Sequence, residues 1–128
     1  MESKKTILVV DDDLIFLKMM KLRLEANNYD VVTASTGTGA LDKIRECRVD
    51  AVLLDILLPD RDGIDILKEI RQKCKNLPVF IITAFSSAER FALANKFNAS
   101  GFIVKTDDLQ QEIDNITSVI RISGKFKG

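Results

Sequence analysis

Hydrophobic residues form five short continuous runs along the chain, and these alternate with segments that are apolar every three or four residues. A continuous run of aliphatic and β-branched residues is typical of a strand buried on both faces of a parallel sheet. The predicted strands are residues 7–10, 31–34, 51–55, 78–83 and 101–105. Strands that alternate with helices predict an α/β fold, a doubly wound (βα)5 arrangement with helices on both faces of a parallel sheet.

The helical segments show the apolar spacing expected of helices that cover a sheet. The first runs from about Leu14 to Asn27, with Asp12 or Asp13 placed to cap it. We interpret its apolar stripe as core; the stripe consists of Phe16, Leu17, Met20 and Leu24. The second and third helices are predicted at about residues 38–47 and 64–73. The fourth opens with Ser86 and Glu89 in capping-box spacing, and the fifth opens at Thr106.

Length and composition favour a single domain. The chain has 128 residues, of which 46% are hydrophobic, and this is enough for a substantial core. No linker, low-complexity tract or internal repeat interrupts the alternation of strands and helices. We therefore predict one domain over residues 1–122, followed by a C-terminal tail or linker stub at residues 123–128.

Charge and residue usage exclude several classes of function. The 19 basic and 19 acidic residues cancel, so we expect no binding to nucleic acid or to an anionic membrane. Histidine is absent, and the two cysteines, Cys47 and Cys74, lack metal-binding spacing, which excludes histidine-based triads and ordinary zinc sites. The unpaired spacing of the cysteines predicts a reduced, cytoplasmic setting. The short apolar run at the N-terminus is cut off by three acids, so we expect neither a signal peptide nor a membrane span.

Polar residues with complementary chemistry follow four of the predicted strands. Strand one ends in Asp11, Asp12 and Asp13, strand three in Asp55, strand four in Thr83 and Ala84, and strand five in Lys105. Each residue alone has an ordinary structural explanation, such as a helix cap, a turn or a solvated lysine. Because the carboxyl ends of parallel strands meet at one edge of the sheet, where ligands bind, we expect these groups to form one site.

The chemistry open to such a cluster is narrow. Clustered carboxylates raise one another's pKa unless a hard cation lies among them, and Mg²⁺ prefers these oxygen ligands and serves phosphoryl groups. A carboxylate such as Asp55 can attack phosphorus to give an acyl phosphate if the metal and Lys105 neutralise the developing charge. These partners also explain why an apolar strand ends on an acid.

Four motifs in this order, VVDDD, VLLDILLPDRDG, IITA and GFIVK, resemble those of the receiver domain of bacterial two-component response regulators. The resemblance covers nearly the whole chain, and the full set in register is very specific. It implies a flavodoxin-like sheet order of 2-1-3-4-5. It also implies a phosphoacceptor switch in a phosphorelay, which takes its phosphoryl group from a sensor histidine kinase or a histidine phosphotransfer protein.

The resemblance further implies roles for individual residues. Asp55 would be phosphorylated; Asp12, Asp55 and the backbone carbonyl of Leu57 would ligate Mg²⁺ directly, and Asp11 would act through water. Lys105, Thr83 and the amide of Ala84 would bind the phosphoryl group, and Phe102 would swing inward as Thr83 moves. The surface of helix four, strand five and helix five would then change and engage an effector or a second copy of the chain. The protein would catalyse only its own phosphorylation and dephosphorylation.

The sequence departs from the family pattern after strand five and after two helices. The family usually has a cis proline after its lysine, whereas Thr106 follows Lys105, which puts the conformation of this loop in question. Asn28 and Asn98 stand where many relatives have glycine, but asparagine tolerates the left-handed conformation that ends a helix. The absence of histidine means that the phosphoryl donor lies outside this sequence.

Three functions from different classes are compatible with this pattern. The leading one is a phosphoacceptor switch. The second is a pseudo-receiver that binds a partner without phosphorylation, which loss of Asp55, Asp12 or Lys105 would have favoured. The third is a small phosphatase with an aspartyl-phosphate intermediate, but DDDL does not offer the DxDx motif followed by Thr or Val that such an enzyme needs.

Overall fold

The computed structural model describes residues 4–45, 48–83, 88–105 and 109–126, and within them strands and helices alternate as predicted. The strands are β1 (Thr6–Val10), β2 (Asp30–Ala34), β3 (Ala51–Asp55), β4 (Val79–Thr83) and β5 (Gly101–Val104). The helices are α1 (Leu14–Ala26), α2 (Gly37–Ile44), α3 (Gly63–Lys73), α4 (Ala88–Lys96) and α5 (Leu109–Phe126). The predicted opening of the fourth helix at Ser86 and of the fifth at Thr106 lies outside the described residues.

The strands form one parallel sheet in the order β2-β1-β3-β4-β5, which confirms the predicted fold class and order. Strand β3 is buried along its whole length, as its continuous apolar run predicts. Alternate residues of each strand point to opposite faces, so the sheet contributes to two hydrophobic clusters. One cluster packs against α2, α3 and Ala94 of α4, and the other against α1 and α5. The predicted α1 stripe lies in the second cluster and is buried.

The helix ends follow the local chemistry of the sequence. Asp13 caps α1, since its Oδ1 accepts hydrogen bonds from the amides of Ile15 and Phe16 at 3.0 and 3.2 Å. Asn28 and Asn98 follow α1 and α4 with φ angles of 72° and 63°, which confirms the left-handed conformation expected of them. Helix α2 is shorter than predicted and is capped by Thr36, whose side chain accepts a hydrogen bond from the amide of Gly39.

The prediction that the cysteines are unpaired and reduced is wrong for Cys74, which is disulfide-bonded. Cys74 ends α3 and is 6% exposed, and it lies in the same hydrophobic cluster as Ile44 at the end of α2. Ile44 and Cys74 are far apart in the sequence, and no local pattern indicates that the ends of α2 and α3 meet on one face of the sheet. The other cysteine of the chain, Cys47, lies outside the described residues.

Helix α5 continues through Ser123 to Phe126, so the predicted domain boundary after residue 122 falls within a helix and stays a prediction. Over the part of the chain that the structure describes, no helix combines the length and the apolar character that crossing a bilayer requires.

Candidate functional site

Two aspartates occupy adjacent positions at the carboxyl edge of the sheet. Asp11 directly follows β1 and Asp55 is the last residue of β3, and these strands pair with Val10 opposite Leu54. Asp11 is fully buried and Asp55 is 6% exposed; in the described part of the chain they are the two buried charged residues. Asp12, next to Asp11, is exposed. Carboxylate oxygens of these three residues lie within 4.8 Å of one another.

Each buried carboxylate is fixed by a backbone amide two residues further along the chain. The amide of Asp13 donates to Asp11 Oδ1 at 2.9 Å, and the amide of Leu57 donates to Asp55 Oδ1 at 3.1 Å. These bonds leave the other oxygen of each carboxylate for charged partners. The local turns after β1 and β3 therefore orient the two side chains toward the same space.

Lys105, which follows β5, brings a cation to these oxygens. Its Nζ lies 2.6 Å from Asp11 Oδ2 and 3.7 Å from Asp55 Oδ2. The ammonium also lies 4.5 Å from the centre of the Phe16 ring, so a cation–π contact supports its position. Burial alone would lower the pKa of Lys105, but the hydrogen bond and charge of Asp11, together with the charge of Asp55, raise it above its usual value. Lys105 is therefore a permanent cation in this site.

The carboxyl group of Asp55 has an unusually high pKa for an aspartate. Burial, opposed by the hydrogen bond from the Leu57 amide and reinforced by the charge of Asp11, raises the pKa of Asp55 from 3.8 to about 6. The nearby charge of Lys105 offsets only part of this increase. At neutral pH Asp55 is thus a carboxylate held in an unfavourable environment, a condition typical of reactive groups.

The oxygen-rich cluster fits a hard divalent cation. Apart from its ion pair with Lys105, Asp11 Oδ2 is completely buried and has no hydrogen-bond partner among the described residues. Because a carboxylate oxygen can accept more than one contact, this atom can bind a metal ion or its water in addition to Lys105. Three carboxylates with one ammonium leave an excess of negative charge that a cation such as Mg²⁺ would balance.

The loop between β3 and α3 is held close to Asp55 by a glycine and an acid. A Cβ atom at Gly63 would lie 2.5 Å from the carbonyl oxygen of Asp55 and 2.6 Å from Cα of Ile56, so only glycine fits there. Asp62 caps α3 through the amide of Ile64 and also binds Arg90 of α4, with Nη1 2.9 Å from each carboxylate oxygen.

The contact between Asp62 and Arg90 was not predicted from the sequence. Asp62 stands just before a helical apolar pattern, so its role as a cap could have been predicted from the sequence. Its pairing with Arg90, 28 residues further along, carries no local signal.

The remaining predicted site residues lie at the same edge or next to it. Thr83 is the last residue of β4 and pairs with Val104, which precedes Lys105. Its side chain and the whole of Ala84 lie outside the described part of the structure. Phe102 on β5 is half-buried and contacts Phe91 of α4 edge to face, with ring centres 4.5 Å apart. The geometry thus brings together Asp11, Asp12, Asp55 and Lys105, with Leu57 bound to Asp55 through its amide.

Comparisons with known proteins agree with this geometry. A family model described as the response regulator receiver domain matches residues 7–117. The alkaline phosphatase synthesis transcriptional regulatory protein PhoP of Bacillus subtilis is 32% identical over 119 residues, which cover 93% of this chain and 50% of that protein. This chain spans about half of the length, or less, of such curated relatives.

Solved structures show the same architecture. A CheY-like receiver domain protein from Methanospirillum hungatei superposes with a TM-score of 0.92 at 28% identity, covering 96% of this chain and 98% of that one. The response regulator TrrA from Thermotoga maritima, solved in complex with Mg(2+)-BeF, gives a TM-score of 0.82 at 30% identity and covers 90% and 98% of the two chains.

Proposed function

The chain belongs to the response regulator receiver domain family, and we propose that it is a phosphoacceptor switch of a two-component phosphorelay in which Asp55 receives the phosphoryl group. The observation that carries this proposal is the position of Asp55: a buried carboxylate with a raised pKa that lies 3.7 Å from an ammonium and beside two further acids. A pseudo-receiver would not need to maintain this costly arrangement of charges.

In the proposed reaction a carboxylate oxygen of Asp55 attacks the phosphorus atom of a phosphohistidine on a partner protein. The new P–O bond forms as the P–N bond to the imidazole breaks, and the imidazole leaves with the bonding electrons and takes up a proton. With a pKa of about 6, Asp55 is ionised at neutral pH and needs no separate base. Lys105 is placed to neutralise charge on the transferred phosphoryl oxygens. The chain acts only on its own aspartate.

Magnesium is the proposed cofactor, held by Asp12, Asp55 and the backbone carbonyl of Leu57, with Asp11 acting through water. The cation would supply charge neutralisation for the phosphoryl oxygens. The buried Oδ2 of Asp11, which has Lys105 as its charged partner, and the grouping of three carboxylates support this assignment, as does the relative from Thermotoga maritima that was solved with Mg(2+)-BeF.

The proposed response to phosphorylation runs through Thr83, Ala84 and Phe102. Thr83 and the amide of Ala84 would bind the phosphoryl oxygens, and Phe102 would move inward and change the surface of α4, β5 and α5, where an effector or a second copy would bind. The contact of Phe102 with Phe91 supports this route, because it links β5 directly to α4. NMR chemical-shift changes on adding beryllofluoride with Mg²⁺ should therefore include α4 and β5, and changes confined to α2 and α3 would contradict it.

The donor is proposed to be a sensor histidine kinase or a histidine phosphotransfer protein, in the cytoplasm; this location rests on the receiver domain family and not on the cysteines, because Cys74 is disulfide-bonded. Helix α1, which begins beside the acidic cluster, exposes three apolar side chains at helical spacing: Ile15 (74%), Met19 (42%) and Leu22 (62%). An exposed apolar stripe next to the acceptor is suited to bind a partner helix that delivers the phosphoryl group.

The direct test is to incubate the protein with acetyl phosphate and Mg²⁺ and to measure its intact mass. We expect one phosphoryl adduct that requires a divalent cation and is absent in Asp55→Asn, because an amide is a far poorer nucleophile than a carboxylate. Asp42→Asn, which removes an exposed acid on α2, is the matched control and should still form the adduct. An adduct that persists in Asp55→Asn would disprove the assignment, and no adduct in the parent protein would favour the pseudo-receiver.

A further inference from the structure

A basic groove lies between α3 and α4, away from the acidic cluster. It has a volume of about 390 Å³ and is open to solvent. Four of its lining residues are cationic and none is acidic; the cations are Lys68, Arg71, Lys75 and Lys96. Phe97 also lines the groove and is half-buried, with Lys68 Nζ 4.6 Å and Lys96 Nζ 5.7 Å from the centre of its ring. The α3–α4 groove therefore combines an aromatic surface with a cluster of positive charge.

Arg71 forms a rigid part of this groove. Its guanidinium donates to the backbone carbonyl of Asn98 at 2.8 and 3.0 Å and to that of Leu77 at 2.6 Å, with a longer contact of 3.3 Å to the carbonyl of Cys74. These acceptors are all neutral. Burial lowers the pKa of Arg71, but an arginine remains protonated in proteins, so the groove contains a half-buried cation whose contacts in the described structure do not include a carboxylate.

The lysines around the groove are largely free of intramolecular acids. Lys68 lies 3.8 Å from Asp65, but both side chains are about half exposed, and such pairs contribute little. Among the described residues Lys75 and Lys96 form no ion pair, and both are exposed. Basic residues near the carboxyl ends of α3 and α4 also interact favourably with the helix dipoles. That interaction, however, does not require the residues to surround a common cavity.

We propose that the α3–α4 groove is a docking site for an acidic segment of a partner protein that carries an apolar side chain among its carboxylates. The apolar side chain would contact Phe97, and the carboxylates would pair with Lys75 and Lys96 and approach Arg71. The open shape favours a peptide over a small anion, because small-molecule sites bury roughly 70–90% of their ligand. Zero net charge over the chain gives no long-range attraction for nucleic acid. The docking site is separate from Asp55 and does not depend on phosphorylation.

The experiment measures binding of a fluorescein-labelled peptide of alternating glutamate and leucine pairs by fluorescence anisotropy, and maps it by the amide shifts of ¹⁵N-labelled protein. We expect shifts at residues 68–75 and 96–98, and a loss of affinity of at least about tenfold in the double variant Lys75→Glu/Lys96→Glu. A peptide with serine in place of leucine should bind more weakly, and added salt should weaken binding of both.

Lys43→Glu is the matched control, because Lys43 is an exposed lysine in the last turn of α2, just as Lys96 is in the last turn of α4. It should change the affinity less than about twofold. Thermal unfolding of every variant shows whether it is folded, and Lys75→Gln with Lys96→Gln gives a second, milder test if charge reversal prevents folding. The proposal would be overturned by an equal loss of affinity in the control variant, by amide shifts that lie outside the groove, or by absence of peptide binding. ATP and inorganic phosphate are tested as separate probes; binding of either at the groove without binding of the peptide would also overturn it.

Discussion

Replacing Asp55 with asparagine should make the metal-free protein more stable at neutral pH, even though it removes the proposed phosphoryl acceptor. Asp55 is almost completely buried beside Asp11, and its negative charge is only partly offset by Lys105. Asparagine has nearly the same shape, carries no charge, and keeps an oxygen that can accept the hydrogen bond from the Leu57 amide. The substitution therefore removes a repulsion and preserves the local turn.

The magnitude follows from the pKa of Asp55, which burial, with the charge of Asp11 as a further contribution, raises from 3.8 to about 6. The folded protein binds this proton more tightly than the unfolded chain does. The stability that the proton provides is fully present below about pH 4 and is lost as the pH rises through about 6. A pKa difference of this size corresponds to about 3 kcal/mol, so the parent should lose about that much relative to Asp55→Asn across this interval.

Urea unfolding of both proteins between about pH 4 and pH 7.5, in the presence of a chelator, measures this difference. The free energy of unfolding of Asp55→Asn minus that of the parent should grow by about 2–3 kcal/mol as the pH rises, because the unfolded chain is already partly ionised at pH 4. Asp42→Asn, an exposed acid with a side chain that is 65% exposed, should show no comparable trend. Excess Mg²⁺ should stabilise the parent more than Asp55→Asn. A difference that does not change with pH, or a parent more stable than the variant at pH 7.5, would refute the reasoning.

Three further substitutions test the parts around Asp55. Lys105→Ala should leave phosphorylation detectable by intact mass but reduce the chemical-shift response of α4 to beryllofluoride; an unchanged response would contradict the link through β5. Gly63→Ala should reduce the free energy of unfolding in urea by about 1–3 kcal/mol, because the new Cβ would overlap the backbone at Asp55 and Ile56; a loss below about 0.5 kcal/mol would show that the loop adapts. Leu57→Asn should shorten the lifetime of the Asp55 adduct after the donor is removed, because the exposed leucine beside Asp55 offers no hydrogen bond to an attacking water; unchanged or slower decay would refute this.

The strands and most of the acidic cluster could be predicted from the sequence because both depend on local patterns. Continuous apolar runs identified all five strands to within one residue at each end. Because parallel strands bring their carboxyl ends to one edge of the sheet, the position of Asp11 and Asp55 at strand ends was then enough to predict that they lie close together. Lys105 followed from the same rule. Local hydrophobic patterns were therefore enough to predict both the fold class and the residues that surround Asp55.

Contacts between distant segments could not be predicted in this way. The carboxylate of Asp60 accepts hydrogen bonds from the amides of Gly37 and Thr38 at the start of α2, and Asp62 pairs with Arg90. Each contact joins residues more than 20 positions apart, and each depends on how the loops lie above the sheet. The α3–α4 groove was missed for the same reason, because its cations come from two helices that meet only in the folded chain.

The contact between Lys105 and Asp11 explains how the proposed phosphorylation would move β5. At rest the ammonium lies closer to Asp11, at 2.6 Å, than to Asp55, at 3.7 Å. An acyl phosphate on Asp55 adds about one negative charge beyond the carboxylate that it replaces, so the attraction toward Asp55 increases while that toward Asp11 does not. We expect Lys105 to shift toward the phosphoryl group, and since it follows β5 directly, the shift would reach Phe102 three residues earlier and Phe91 on α4. A phosphoryl mimic that moves α4 while the Lys105 Nζ–Asp11 distance stays at 2.6 Å would show that the signal takes another route.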